Sequence, residues 1–559
     1  MQTLSATLLA AQKPRIRKAL AKIVLTSGAT TKTYQETGAN PILDIKRSAA
    51  PWNQTAQVVL DNSDGVLTDL DLKGYKGVIS FGATTSAGAE YSAKPPLWVI
   101  GYQLLSWATG KSGRLTCSLS LAGIPNLLGE DKANVIYAPD DTDTKTVKTL
   151  IRQIAGDTGE TILTCYNHTT LYNVVFDSED ALIDVFQPKD GFRISVGSNR
   201  RDKLKELLSY TNCVARFEND GKIHIFVPVI STSTAWVANT AYVVGDTVIP
   251  TVANEVEYKC TTAGTSGASQ PTWPTEVGET VSDGTVTWTV SYDYDYRLAS
   301  TYHTFFNKSY RKRLVIPNYQ VVESHPSHGD GFTGFAEDTE SSDLMEIRAT
   351  PLQLRLASNA QATSIATARI AHYKLDAERG SGFSPMNVGA EEYDFVKIKD
   401  SREVDYRVGN VGYINEHYTP GRFEFDFRFG SIEMGGGAGT LIPMLSESLS
   451  TGARPGALTL EMLMPLFEQI WSILEDIITY LETVDIANPF AGYIWVDASG
   501  DIHVRPKSGQ VTHSYEDINP KTTNDANLGS TTKEYLAGYI KKAYHDTRLQ
   551  IPVGTDMYD

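Results

Sequence analysis

Two histidines that could bind a metal ion stand close together in this chain. His325 and His328 lie in a glycine-rich loop, near Asp330. Two loop histidines could hold a metal such as zinc. Pro326 between them and the missing third ligand favour a plain surface loop instead.

An acidic run, Asp140-Asp141-Thr142-Asp143, is a second candidate for ion binding. It lacks the following glycine and glutamate of an EF-hand loop. Acidic residues are also favourable at a helix N-terminus, and the apolar spacing from Val147 to Ile154 predicts a helix directly after the run, capped by Asp143. No GxSxG, HExxH or GxxxxGKS pattern occurs, and no carboxylate pair stands out as a glycosidase dyad. We therefore predict no enzyme activity, no catalytic residue, no metal site and no cofactor.

Aromatic residues in the segment 233–293, which is rich in Thr, Trp and Gly, could contact a sugar by stacking on its apolar C–H face. The candidates for carbohydrate binding are Trp236, Tyr242, Tyr258, Trp273 and Trp288. The order Ala-Trp, Tyr-x-x-Gly-Asp-x-Val, Tyr and a late Trp resembles that of small chitin- and cellulose-binding modules. Structural decoration stays open as the alternative, because at least two of these rings must form the core of so small a module.

Composition limits the classes of protein that this chain can belong to. A length of 559 residues predicts three or four domains, and a formal net charge of −16 argues against sequence-independent attraction to nucleic acid or anionic membranes. The four cysteines are far apart and form no CxxC pair, so reduced, buried thiols are expected. No run of 18 apolar residues occurs, and the basic residues near the N-terminus follow its apolar run, unlike in a signal peptide. We expect a product of the cytoplasm without stable membrane insertion.

The elements that would position these residues indicate an α+β, mostly β, multi-domain chain. The predicted divisions are 1–128, a β-barrel-like domain; 129–232, the first part of an α+β middle region; 233–293, a small inserted all-β module; 294–435, a second β-barrel-like domain and the remainder of the middle region; 436–458, a linker; and 459–559, a C-terminal helix plus hairpin.

Local patterns support this division. Leucines spaced i, i+3, i+4 from Leu204 to Leu208 predict a helix, followed by a hairpin that turns at Asn219-Asp220-Gly221. After the insert, strand structure is expected in 308–324, including Arg313 to Ile316, and a loop in 325–343. A helix is expected from Ser358 to Glu378. From Phe423 to Phe429, Phe alternates with charge, which predicts a strand with one apolar face.

Several segments resemble the tail hub proteins of tailed bacteriophages and gene-transfer particles. In the first domain they are Leu60-Asp61-Asn62-Ser63-Asp64-Gly65, Leu72-Lys73-Gly74-Tyr75, Ile79-Ser80-Phe81-Gly82 and Tyr91. In the second part they are the helix with the Asp220-Gly221 hairpin, Ala366 to His372, Tyr393 to Arg402, Gly409-Asn410-Val411-Gly412 and Tyr418 to Phe423. The similarity covers most of residues 1–435 outside the insert, and its motifs are diffuse.

The resemblance implies a structural virion protein that forms a homotrimeric hub at the tail tip, with DNA passing through its centre. Its implied partners are distal tail or baseplate ring proteins, the tape measure protein and distal tail fibres, with assembly in the bacterial host cytoplasm. No sequence-specific nucleic-acid binding is expected, and host surface glycans are candidate ligands of the insert. A polysaccharide hydrolase with an attached sugar-binding module and a receptor-binding tail protein remain alternatives.

An apolar seam in the C-terminal region would hold the trimer together. Its residues, spaced alternately by four and three, are Leu463, Phe467, Ile470, Leu474, Ile477, Leu481 and Val484. Leu at a with Ile at d disfavours a dimer and favours three or more helices. A helix buried against its own chain is the alternative.

Overall fold

The computed structural model describes residues 1–430, apart from 15–17, 108–113, 141, 167–170, 190, 232–233, 299–302, 306, 311–313, 328, 330, 379, 401 and 403–405, together with 494–496 and 502–504. Contacts divide the chain into two units, Met1–Ala438 and Gly439–Asp559. The trimer seam lies outside the described residues and stays a prediction. In the second unit, the strands β27 (Ile494–Val496) and β28 (Ile502–Val504) form the hairpin expected there.

The helices of the first unit are short except for the last. They are α1 (Ala6–Ala11), α2 (Ile124–Glu130), α3 (Val147–Ala155), α4 (Ala181–Val185), α5 (Arg200–Leu208), α6 (Thr339–Ser342) and α7 (Asn359–Ala377). None of the described helices is both long and apolar enough to cross a membrane.

Strands make up most of the regular structure. Before the insert they are β1 (Ala19–Ser27), β2 (Thr30–Gln35), β3 (Ile42–Ala50), β4 (Asn53–Asp61), β5 (Lys76–Thr85), β6 (Gly88–Ala93), β7 (Leu97–Trp107), β8 (Arg114–Gly123), β9 (Val174–Phe176), β10 (Val214–Phe217) and β11 (Ile223–Phe226). In the insert they are β12 (Ala241–Tyr242), β13 (Thr247–Val248), β14 (Tyr258–Thr262), β15 (Gly264–Thr265), β16 (Thr280–Asp283) and β17 (Val286–Val290). After it come β18 (Tyr294–Arg297), β19 (Asn307–Tyr310), β20 (Tyr319–Ser324), β21 (Thr333–Glu337), β22 (Leu352–Leu354), β23 (Gly380–Ser384), β24 (Phe395–Lys399), β25 (Tyr406–Thr419) and β26 (Arg422–Phe429).

One 14-stranded sheet joins the strands of the two predicted β-barrel-like domains. Its order is β19-β23-β26-β25-β3-β4-β8-β7-β5-β1-β2, with β24 on β25, β18 on β24 and β6 on β5. The junction is the antiparallel pair β25–β3, in register from Ile414↔Ala49 to Tyr418↔Ile45. No sheet of the described residues is closed into a barrel. The α+β, mostly β fold class is confirmed.

The core of this sheet follows from strict alternation along its strands. Phe423, Phe425, Phe427 and Phe429 are all buried, whereas the charged residues between them are more exposed. The two-residue side-chain period of a strand places the four rings on one face. The predicted strand and its apolar face are therefore confirmed.

A buried ionic cluster lies where β3 meets β25. Arg47 Nη1 donates to Glu416 Oε2 at 2.7 Å, and Lys94 Nζ lies 2.8 Å from Glu416 Oε1. All three side chains are at most 2% exposed. One carboxylate on β25 thus holds two cations supplied by the N-terminal strands and the loop after β6.

A second core is built around the predicted helix–hairpin unit. Leu204, Leu207 and Leu208 of α5 are buried, and β10 and β11 pair antiparallel with the turn at Gly221, whose φ is +79°. Helix α3 also forms as expected, but its N-cap is Thr146, whose hydroxyl accepts from the Thr149 N–H. The prediction of Asp143 as the cap is therefore wrong, since a cap must directly precede the first helical turn.

The region after the insert departs from the expected pattern at two points. Leu314 to Ile316 form no strand, and Pro317, which has no N–H to give to a ladder, separates them from β20. The expected loop 325–343 contains β21 and α6. Strand β21 pairs with β20, and α7 packs so closely that a Cβ on Gly334 would lie 2.4 Å from the Thr363 nitrogen. Tertiary packing places this short strand. Helix α7 itself lies where predicted.

The insert returns the chain close to where it left. Asn410 Nδ2 donates to the oxygen of Val229, just before the module, and the N–H of Asp293, the last residue of the module, donates to the Phe395 oxygen. Phe395 and Asn410 are register partners of β24 and β25. Both ends of the insertion therefore meet one pair of strands, as an inserted module requires.

Candidate functional site

Four of the five aromatic residues predicted to bind carbohydrate form the core of the insert. Trp236 and Tyr242 are 6% and 9% exposed, and Tyr258 and Trp288 are fully buried. A sugar cannot stack on these rings unless the module opens. Burial favours the alternative of a structural core for these four rings, because a small module has few other side chains large enough to fill its interior.

A buried carboxylate fixes two of these indoles. Trp236 Nε1 and Trp288 Nε1 donate to Asp283 Oδ2 at 2.7 and 3.1 Å, and the Gly267 N–H donates to Asp283 Oδ1 at 2.8 Å. Buried indole N–H groups need acceptors. Asp283 supplies them and determines how the two rings pack.

Trp273 is the one predicted contact residue that is only partly buried. Its ring packs on Tyr258 with centroids 4.3 Å apart, and its Nε1 donates to Gln270 Oε1 at 3.0 Å. One half-buried indole beside an amide can contribute stacking on the order of 1 kcal/mol. The geometry therefore allows weak contact with an apolar ligand face.

The module also packs against the main sheet. Phe395 of β24 belongs to the hydrophobic core of the insert, and Tyr292 packs on it with centroids 5.4 Å apart. Beside them Lys397 Nζ lies 5.5 Å from the Tyr292 ring centroid and 4.7 Å from that of Tyr406. Burial lowers the pKa of Lys397 to about 8. The insert is therefore docked on the sheet.

The histidine and acidic motifs that first suggested metal binding have local roles. His325 Nδ1 lies 2.7 Å from Ser327 Oγ, and His328 lies outside the described residues. Asp140 Oδ1 accepts from the backbone N–H and the hydroxyl of Thr142. The histidine contact favours the surface loop preferred from sequence, whereas Asp140 forms a turn and not the helix N-terminus expected for the acidic run. All four cysteines are free and buried, as expected.

A cavity of about 600 Å³ lies between residues 1–5, residues 90–93 and the β10–β11 hairpin. Arg216, Glu218 and Glu391 line it. Arg216 Nε donates to Glu218 Oε1 at 2.8 Å, and its Nη1 lies 3.6 Å from Asp394 Oδ1. Burial raises the pKa of Asp394 to about 7. Sequence analysis missed this cavity, because its charged residues come from segments far apart in the chain and share no motif.

Beside the cavity, the described residues hold one group of metal-ligating side chains. Asp177, Glu218 and His224 offer ligand atoms that all lie within 4.8 Å of one another. His224 Nδ1 is 2.9 Å from Asp177 Oδ2, and Nε2 is 3.7 Å from Glu218 Oε2 and 3.2 Å from Asp220 Oδ2. Burial by itself would lower the pKa of His224, but the surrounding carboxylates outweigh it and raise this pKa above its usual value.

Comparison with known proteins gives structural similarity only. No protein-family model matches the chain, and no curated protein sequence matches it. A tail protein from Neisseria meningitidis MC58 aligns at 9% identity over 74% of this chain and 97% of its own, with a TM-score of 0.42. The 43 kDa tail protein of prophage MuSo2 from Shewanella oneidensis aligns at 9% identity over 73% and 98%, with a TM-score of 0.39. A prophage tail protein from Listeria monocytogenes EGD-e aligns at 8% identity over 77% and 99%, with a TM-score of 0.40. At such identities residue roles cannot be transferred to this chain.

Proposed function

We propose that this protein is a structural component of a bacteriophage tail, the homotrimeric hub at the tail tip. It connects the tail tube and its distal ring to more distal fibres and lines the DNA exit channel. The observation that carries the proposal is the 14-stranded sheet. The segments that resemble hub proteins, in β4, β5, β24 and β25, are strands of this one sheet although hundreds of residues separate them.

A hub must resist deformation while other proteins pull on it, and the sheet provides such stiffness. The β25–β3 ladder and the ion cluster of Arg47, Lys94 and Glu416 join the N-terminal strands to those after the insert. A buried charge cluster fixes the relative position of its strands, because any displacement leaves a desolvated charge without its partner. This supports a scaffold role.

Labelled particles test the location. A gold-labelled antibody to the chain should mark one site at the tail tip in electron micrographs of virions. Label along fibres would instead support the receptor-binding protein. Absence from particles, together with hydrolysis of chitin or peptidoglycan by the pure protein, would support the hydrolase.

The trimer is tested at the predicted seam. Replacing Ile470 and Ile477 by Asp should abolish the trimeric mass in light scattering. Each helix would then place two charges in the apolar seam, where they cannot be buried. Glu475→Ala, at an outward heptad position, is the matched control and should stay trimeric. A trimeric mass for the double Asp variant would exclude the seam as the assembly element.

The insert lies outermost in this proposal and touches host glycans weakly through Trp273. Three copies on one trimer would raise the apparent affinity by avidity. Deleting Thr234 to Ser291 with a short Gly-Ser bridge should leave the trimer intact, since both ends of the insertion meet β24 and β25, and should reduce adsorption to cells. Trp273→Ala should reproduce the adsorption defect. Unchanged adsorption in both variants would leave the module as structural decoration.

A further inference from the structure

We propose that His224, Glu218 and Asp177 bind one divalent transition-metal ion per chain. The three side chains come from the ends of neighbouring strands in the sheet β10-β11-β9. Asp177 directly follows β9, Glu218 directly follows β10, and His224 lies within β11. The site is independent of the hub function, and the sequence motifs that suggested metals did not include it.

The sheet fixes these groups on its solvent side. Ala215, Phe217, Ile223 and Ile225 point into the second core, so their neighbour His224 points away from it. Glu218 is held by its Oε1, which accepts from Arg216 Nε at 2.8 Å, while Oε2 lies on the side of His224. Glu218 therefore presents one oxygen to the site without rearranging.

The spacing of the ligand atoms fits a small metal ion. With zinc-to-ligand distances near 2.0–2.1 Å, tetrahedral ligands stand about 3.4 Å apart. One nitrogen of His224 and one oxygen of each carboxylate lie within 4.8 Å of one another. Closing this set to tetrahedral spacing therefore needs movements of at most about 1.4 Å, within reach of carboxylate rotation. A set of one imidazole and two carboxylates suits zinc, cobalt or manganese better than magnesium or calcium, which prefer oxygen alone.

The outer contacts complete the arrangement. Both ring nitrogens of His224 face carboxylates, Nδ1 facing Asp177 and Nε2 facing Asp220. With the ion on Nδ1, beside Asp177, the Nε2–H keeps Asp220 as its hydrogen-bond acceptor, and such acceptors orient metal-binding histidines and raise their basicity. Two cations, Arg216 and Lys222, stand beside Glu218 and Asp220 and offset part of the negative charge.

A proton and the metal ion compete for the ring nitrogen of His224, and the same carboxylates attract both. Three carboxylates, Asp177, Glu218 and Asp220, face His224 and favour its protonated form, while Arg216 and Lys222 oppose it. A metal ion binds only the deprotonated ring. Affinity should therefore rise with pH until His224 is neutral and then level off.

Titration of the full chain with Co²⁺, followed by visible absorption and calorimetry, tests the site. We expect one equivalent bound, at least tenfold weaker binding in His224→Gln and in Glu218→Gln, and displacement by Zn²⁺. His325→Gln, which removes a loop imidazole outside the site, should bind within twofold of the unaltered protein. Circular dichroism will show whether each variant is folded, and Asp177→Asn replaces any that is not.

Two results would overturn the proposal. One is a dissociation constant weaker than about 1 mM at pH 8. The other is equal binding by the His224→Gln, His325→Gln and unaltered proteins, which would show that the ion binds elsewhere. A roughly tenfold gain in affinity per pH unit below the pKa of His224, absent in His224→Gln, would support the histidine as a ligand.

Discussion

Replacing Glu416 by Gln should destabilise the main sheet severely. The substitution keeps the shape of the side chain and removes the one negative charge that Arg47 and Lys94 share. Glu416 is fully buried, and its two oxygens lie 2.7 and 2.8 Å from the cations. Neither cation can reach water without separating β3 from β25 or moving the loop after β6.

The expected loss follows from the burial of the cluster. Removing one partner of a buried ion pair costs about 3–5 kcal/mol, because the remaining charge is left without compensation. Here one substitution leaves two such charges, so the upper part of that range is expected. Replacing all three residues together by Leu, Met and Met should cost far less, since an apolar cluster of similar volume carries no desolvated charge.

Urea unfolding of the variants measures this loss. Tryptophan fluorescence and far-ultraviolet circular dichroism should be followed together, because a chain of two units need not unfold in one step. Glu424→Gln on β26 is the matched control: it makes the same substitution on the more exposed face and should cost less than about 1 kcal/mol. If Glu416→Gln lowers the free energy of unfolding no more than the control does, the cluster does not hold the strands together.

Three further predictions concern the insert, its junction with the sheet, and the sheet itself. Asp283→Ala should lower the stability of the insert by about 2–6 kcal/mol, because two buried indole N–H donors lose their acceptor at about 1–3 kcal/mol each. Unfolding followed by fluorescence should show no such loss for its exposed neighbour Ser282→Ala. The folded pKa of Lys397 near 8 lies below the unfolded value of about 10.4, so the unfolded chain binds more protons between these pH values and stability should rise with pH across that window. Lys397→Met should flatten this rise, and an equally steep pH dependence of unfolding in the variant would contradict the assignment. Gly412→Ala should cost about 1–3 kcal/mol, because a Cβ there would lie 1.6 Å from a backbone oxygen just after β26, whereas Gly101→Ala, with no atom within 4 Å, should be neutral in thermal unfolding.

The sequence by itself determined which segments are helices and strands wherever the side-chain period is strong. Alternating phenylalanines from Phe423 to Phe429 identified β26, leucines spaced three and four apart identified α5, and Asn219-Asp220-Gly221 identified a hairpin turn. These signals are local, because the period of a helix or strand decides which side chains share a face. Elements with a weak side-chain period were not predicted. Strand β21, for example, is defined only by its ladder with β20 and the close approach of α7.

Only the tertiary structure decided which side chains are buried and which residues, distant in sequence, come into contact. The same five aromatic residues fit a sugar-binding surface or a core. Four of them are buried in one hydrophobic cluster of the insert, and two of these four donate to Asp283. Arg47 and Glu416 stand 369 positions apart, and nothing near either residue in the sequence predicts the other. Asp177, Glu218 and His224 likewise lie in no common motif, and the register of three short strands brings them together. Composition and the period of apolar side chains determine which secondary structure a segment can form. Pairing across long loops depends instead on the packing of the whole chain. The ionic cluster and the metal-ligating group were therefore found only in the structure.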